Sequence, residues 1–60
     1  QPDIYVLILR RFANTYPILY QTYMKEHYSK NITYQFLPSP FPNAVLVKFS
    51  IVKEKQENKE

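Results

Sequence analysis

The sequence predicts a small α+β domain, two layers deep, in the order strand, helix, β-hairpin. Three observations carry that expectation. Ile4-Tyr5-Val6-Leu7-Ile8-Leu9 is an unbroken apolar run. Tyr16, Tyr20, Tyr23, Met24, His27 and Tyr28 recur at three- and four-residue spacing. Two later stretches alternate strictly, Ile32, Tyr34 and Phe36 against Thr33 and Gln35, then Val45, Val47, Phe49 and Ile51 against Lys48 and Ser50. Helices and strands differ in how often a side chain returns to the same face, so the spacing distinguishes them.

Residues 4–9 suit a strand buried on both faces, and equally a buried helix. β-branched and aromatic residues favour the strand. Pro2 and Asp3 would start a helix whose face holds positions 4, 7, 8 and 12, so the alternative is two helices followed by a β-hairpin. Arg10 and Arg11 end the run.

The second element is a helix. Thr15 is placed to cap it and Pro17 suits its first turn. The tyrosine-rich stripe forms its inner face, with hydroxyls reaching the rim of the core. Lys25, Glu26 and Lys30 fall off that stripe, and Lys30 with Asn31 is expected to close the helix.

The hairpin is joined through Leu37-Pro38-Ser39-Pro40-Phe41-Pro42-Asn43. Prolines at alternate positions stiffen this link into extended geometry, and without any glycine it is no tight two-residue turn. One helix can cover only one sheet face, here the Ile32/Tyr34/Phe36 and Val45/Val47/Phe49/Ile51 side. The other face mixes Thr33, Gln35, Lys48 and Ser50 with Ala44, Leu46, Val52 and half of the first strand. Such a mixed face suits contact with another subunit.

Sixty residues allow one domain with a thin core. We expect it to span residues 1–53, followed by a charged, frayed tail over 54–60. A hydrophobic content of 45% is too high for a disordered chain. Small domains compensate for a thin core with disulfides, metals or partners. Zero cysteines exclude disulfides and thiolate zinc sites, and one histidine with one aspartate cannot build a metal shell. A partner is the remaining route. The longest apolar run, Ile4 to Leu9, is far below the roughly 20 residues of a membrane span. Asp3 ahead of that run, with no small-residue cleavage site after it, does not read as a signal peptide. Gln1 in place of methionine reads as a processed or excised product.

Catalysis is not expected. Nucleophile–base pairs need a His or carboxylate beside a Ser, Thr, Cys or Lys, and His27 falls within the tyrosine stripe. Zero glycine excludes phosphate-cradling loops. No metal or other cofactor is implied. Asn31-Ile32-Thr33 matches the N-glycosylation sequon at a strand entrance.

Residues 17–53 resemble the first half of a double-stranded-RNA-binding domain. Pro17 opens the helix, Tyr34 lies in the first strand, and Phe49 and Ile51 lie in the second, as in that pattern. The Gly-Pro and histidine of the RNA-contacting loop have no counterpart, nor do the third strand and lysine-rich second helix. The strand–helix–strand–strand order is also similar to half of a ferredoxin-like fold, including SEA-type extracellular modules, although the Gly-Ser cleavage turn is absent.

The expected role is a non-catalytic protein–protein interaction or assembly module. Its core would be completed by a second copy, as a homo-oligomer, or by a larger partner protein. Leu46, Lys48, Val52 and the Phe41-Pro42 loop tip are the expected contacts. The alternative is a nucleic-acid-binding module using Arg10, Arg11, Lys25, Lys30 and Lys48 against phosphates.

Overall fold

The computed structural model describes residues 2–52; the tail expected over 54–60 lies outside them. Strand β1 (Ile4–Leu9), a 3-10 turn (Arg10–Phe12), helix α1 (Tyr16–Tyr28), strand β2 (Asn31–Leu37) and strand β3 (Ala44–Val52) follow in that order. The domain is α+β, and residues 4–9 are a strand, so the two-helix alternative does not form. The sheet is antiparallel with β3 at its centre, in the order β1-β3-β2.

Register decides which side chains share a face. Val47 lies opposite Val6 in β1 and Phe36 in β2, and Phe49 opposite Ile4 and Tyr34. Directly opposed residues point the same way. One face therefore carries Ile4, Val6 and Ile8 beside Val45, Val47, Phe49 and Ile51, then Ile32, Tyr34 and Phe36. Helix α1 covers this face, lying over β2. The buried centre is Ile32, Val47 and Phe49, with Ile8, Tyr20, Met24, Tyr34, Val45 and Ile51 packed around it. The Tyr20 ring meets Phe49 edge-on at 4.7 Å, a geometry that aromatic quadrupoles favour.

The helix departs from the sequence expectation in three ways. Its inner face is Pro17, Tyr20, Gln21 and Met24 rather than the whole tyrosine stripe. Tyr16, Tyr23 and Tyr28 stay about half exposed. The covered arc is rotated off the stripe toward Pro17 and Gln21, so of the stripe only Tyr20 and Met24 are covered. Tyr23 instead packs on His27 at 4.4 Å and on Tyr28 at 5.9 Å, along the outside.

Thr15 occupies the N-cap position, but its side chain makes no capping bond. Only its carbonyl serves, accepting from the Leu19 N–H at 3.1 Å. Buried Pro17 leaves no N–H to satisfy there. Closure falls to Ser29, at φ 54, instead of Lys30 and Asn31. Its N–H donates to the Lys25 carbonyl, and the Lys30 N–H to that of Met24 at 3.2 Å. This left-handed reversal satisfies the last carbonyls and starts β2 at Asn31.

The proline-rich connection is organised by Ser39. Its hydroxyl accepts from the Phe41 N–H at 3.0 Å, and lies 2.9 and 2.8 Å from the Phe41 and Ala44 carbonyls, to which it can donate. A side chain thus supplies the turn bond that the prolines cannot.

Candidate interaction surface

The site begins with the backbone of β1. The Arg10 N–H donates to the Asn43 carbonyl at 2.8 Å, one step beyond the Leu9–Ala44 pair in the same register. Antiparallel strands alternate between pairs that exchange hydrogen bonds and pairs that do not. Even-numbered residues of β1 therefore bond to β3, while Tyr5, Leu7 and Leu9 turn their N–H and C=O groups outward. Among the described residues no strand lies on that side.

The same alternation turns Ile32, Tyr34 and Phe36 of β2 outward at the other edge. There the Gln21 carboxamide donates to the Ile32 carbonyl at 2.7 Å, so the helix partly closes that edge. The two edges are thus unequal.

β1 is also exposed on both faces. Ile4, Tyr5, Val6, Leu7 and Leu9 are 47, 57, 38, 50 and 46% exposed, and only Ile8 is better covered. On the helix side, Ile4, Val6 and Ile8 form the floor of an open groove walled by Tyr16, Tyr20 and Phe49, with a volume of about 350 Å³. On the far side, Tyr5, Leu7 and Leu9 stand next to Lys48, Leu46 and Ala44 of β3. Burial on both faces, as the apolar run suggests, is not supplied by the described residues. Helix α1 lies over β2, one strand too far away.

Of the residues expected to meet a partner, Leu46 and Lys48 lie on the face opposite the helix. Leu46 sits between Leu7 and Leu37, and Lys48 between Tyr5 and Gln35. The Lys48 ammonium pairs with the Asp3 carboxylate at 3.6 Å. Val52 shares that face but lies opposite Asn31, about 20 Å from Leu46 at strand rise. Phe41 is half exposed at the loop tip. The Pro42 carbonyl accepts from Arg10 Nε at 3.2 Å, tying the tip to the end of β1. Phe41, Pro42 and Leu46 therefore gather towards one end, whereas Val52 is remote. Tyr5, Leu7 and Leu9 lie on the mixed face, which was expected to carry half of the first strand, but they were not named among the contacts. Their signal was the apolar run itself, too greasy for a strand beside one helix.

The basic residues fall in three places. Arg10 and Arg11 line a cleft with Leu9, Pro42 and Asn43. Arg11 also lies over the Phe12 ring at 4.7 Å. Lys25 and Lys30 sit at the opposite end, around a cleft with Gln21, Thr22, Glu26 and Asn31. Lys48 projects from the far face of the sheet. The fold does not gather these five into one surface.

Lys25 Nζ donates to Asn31 Oδ1 at 3.1 Å, so the sequon asparagine is engaged at the strand entrance. The Tyr23 hydroxyl is held above its ordinary pKa by its hydrogen bond with Tyr28, and further by that neighbour's charge. Among the described residues no three His, Cys, Asp or Glu side chains cluster as metal ligands, and no helix is long and apolar enough to cross a membrane. No protein-family model, curated protein or solved structure matches this chain.

Proposed function

We propose that this chain is a non-catalytic interaction or assembly module whose core is completed by another polypeptide, a second copy or a larger partner. The observation that carries this reading is β1, a wholly apolar strand about half exposed along both faces and bounded by an open backbone edge. Apolar surface of that extent, next to unpaired strand groups, is a template for association. Leu46 and the Phe41-Pro42 tip extend the same apolar region.

Dye binding and unfolding test the reading. The dilute, isolated chain is expected to bind an apolar dye and to unfold over a broad range. Occupation of the β1 region by a partner should quench the dye and sharpen the transition. A dye-silent chain that unfolds in one sharp, concentration-independent transition would contradict it.

A further inference from the structure

We propose that the cleft at the end of β1, lined by Leu9, Arg10, Arg11, Pro42 and Asn43, binds a phosphate monoester carried on an apolar or aromatic body. The site uses side chains alone and no open strand edge.

Both guanidiniums are held before any ligand arrives. The 3-10 turn is tied to the loop by the Arg10 N–H, which donates to the Asn43 carbonyl at 2.8 Å. Arg10 Nε donates to the Pro42 carbonyl at 3.2 Å, which sets the plane of that fork. Its two Nη groups make no hydrogen bond with the described residues. The Arg11 guanidinium lies over the Phe12 ring at 4.7 Å, and Phe12 packs on Tyr16 of α1 at 5.2 Å. A guanidinium stacked in this way keeps its in-plane donors for a ligand. Groups ordered in advance lose less freedom when they bind.

Neither charge is neutralised by the described residues, whose acids are Asp3 and Glu26. Asp3 pairs with Lys48 at 3.6 Å and lies at the far end of β1 from Arg10. That separation is about 20 Å at strand rise, well beyond the roughly 8 Å screening length of physiological salt. Glu26 lines the other polar cleft, with Lys25 and Lys30.

Two forks choose the ligand. One guanidinium already satisfies a planar carboxylate through paired N–H···O bonds. A phosphodiester offers two free oxygens and a single charge. A phosphate monoester offers three oxygens and a charge of about −1.5 to −2, which matches two guanidiniums. Leu9 and Pro42 bring apolar surface to the same cleft, so an ester on an apolar body gains over inorganic phosphate. The cleft volume of about 610 Å³ admits such a group.

A titration of the full chain with phenyl phosphate, followed by amide and arginine Nε–H resonances, tests the site. Shifts should saturate and centre on residues 9–12 and Asn43. Phenyl phosphate should bind at least about tenfold tighter than benzoate or methyl phenyl phosphate, and tighter than inorganic phosphate. Arg11→Gln should weaken binding at least about tenfold, the usual size of a lost charged hydrogen bond. Arg11→Lys keeps the charge without the fork and should still weaken it about threefold or more. Both variants leave the Arg10 bonds to the loop in place, and unchanged far-UV dichroism checks the fold. Lys25→Gln, at the other cleft, should have no effect. A capped phosphotyrosine peptide separates the sources: tighter binding than phenyl phosphate supports a phosphorylated side chain, and equal or weaker binding supports a free ester. Unsaturable shifts, equal affinity for phenyl phosphate and benzoate, or an Arg11→Gln variant that binds as tightly as the parent would overturn the site.

Discussion

Val6 and Val47 are directly opposed residues of one type on one face, yet one is 38% exposed and the other fully buried. Truncating each to alanine removes the same two methyl groups. At Val47 the lost transfer free energy is about 1.6 kcal/mol, from roughly 0.8 kcal/mol per buried carbon. A residual cavity of about 50 Å³ adds about 1 kcal/mol, for a total near 2.5 kcal/mol. At Val6 about three-fifths of the transfer term applies, roughly 1 kcal/mol, and the open groove leaves no closed cavity to add. A chain of this size has a total stability of only about 3–9 kcal/mol, so both effects are measurable and the gap between them is large. Urea unfolding of both variants, at dilution where the chain is single, should give a difference of about 1.5 kcal/mol in the stated order. If another polypeptide covers β1, as the assembly reading proposes, the Val6→Ala cost should grow and the gap narrow once that partner is bound. Equal costs at dilution would refute the reasoning, because β1 would then be covered within one chain.

Three smaller perturbations test other parts of the structure. Ser29→Gly should stabilise by about 1 kcal/mol, since glycine adopts φ 54 without a clashing Cβ; an unchanged urea midpoint would count against this helix ending. Gln21→Ala should cost about 1 kcal/mol through loss of the bond to the Ile32 carbonyl, and amide exchange should quicken along β2 before it does along β3. Tyr28→Phe should return the Tyr23 phenol to its ordinary titration, read by ultraviolet absorbance. The raised pKa means the native state holds that proton more tightly, so its stabilising contribution is full below about pH 10 and disappears as pH rises through the folded value.

Most of the fold was legible because its periodicities are strong. The alternation in residues 32–36 and 45–51 placed both hairpin strands and identified the face that the helix covers. Residues 4–9 were less legible, since a continuous apolar run has no period and propensity alone favoured the strand. The helix inner face was misplaced because tyrosine is amphipathic: its spacing cannot tell a packed ring such as Tyr20 from outer ones such as Tyr23 and Tyr28. Ser29 escaped notice because serine rarely takes the left-handed position that glycine or asparagine usually fills.

The proposed contact surface was half legible. Leu46 and the Phe41-Pro42 tip could be picked from patterning, as apolar residues on a polar face and in a rigid loop. Tyr5, Leu7 and Leu9 entered only as an unnamed half of the first strand, because their exposure depends on strand order. Only once β3 takes the centre and the helix settles over β2 does β1 become an uncovered edge.

Amide hydrogen exchange at Tyr5, Leu7 and Leu9 tests most directly whether β1 is covered from outside. In the concentrated chain these outward amides should be protected, with Val6 and Ile8 protected as well through β3. On dilution the protection of Tyr5, Leu7 and Leu9 should fall first, as the pairing that holds them dissociates. Exchange of those three amides at the unprotected rate at every concentration, with Val6 and Ile8 still slow, would contradict completion of the core by a second copy.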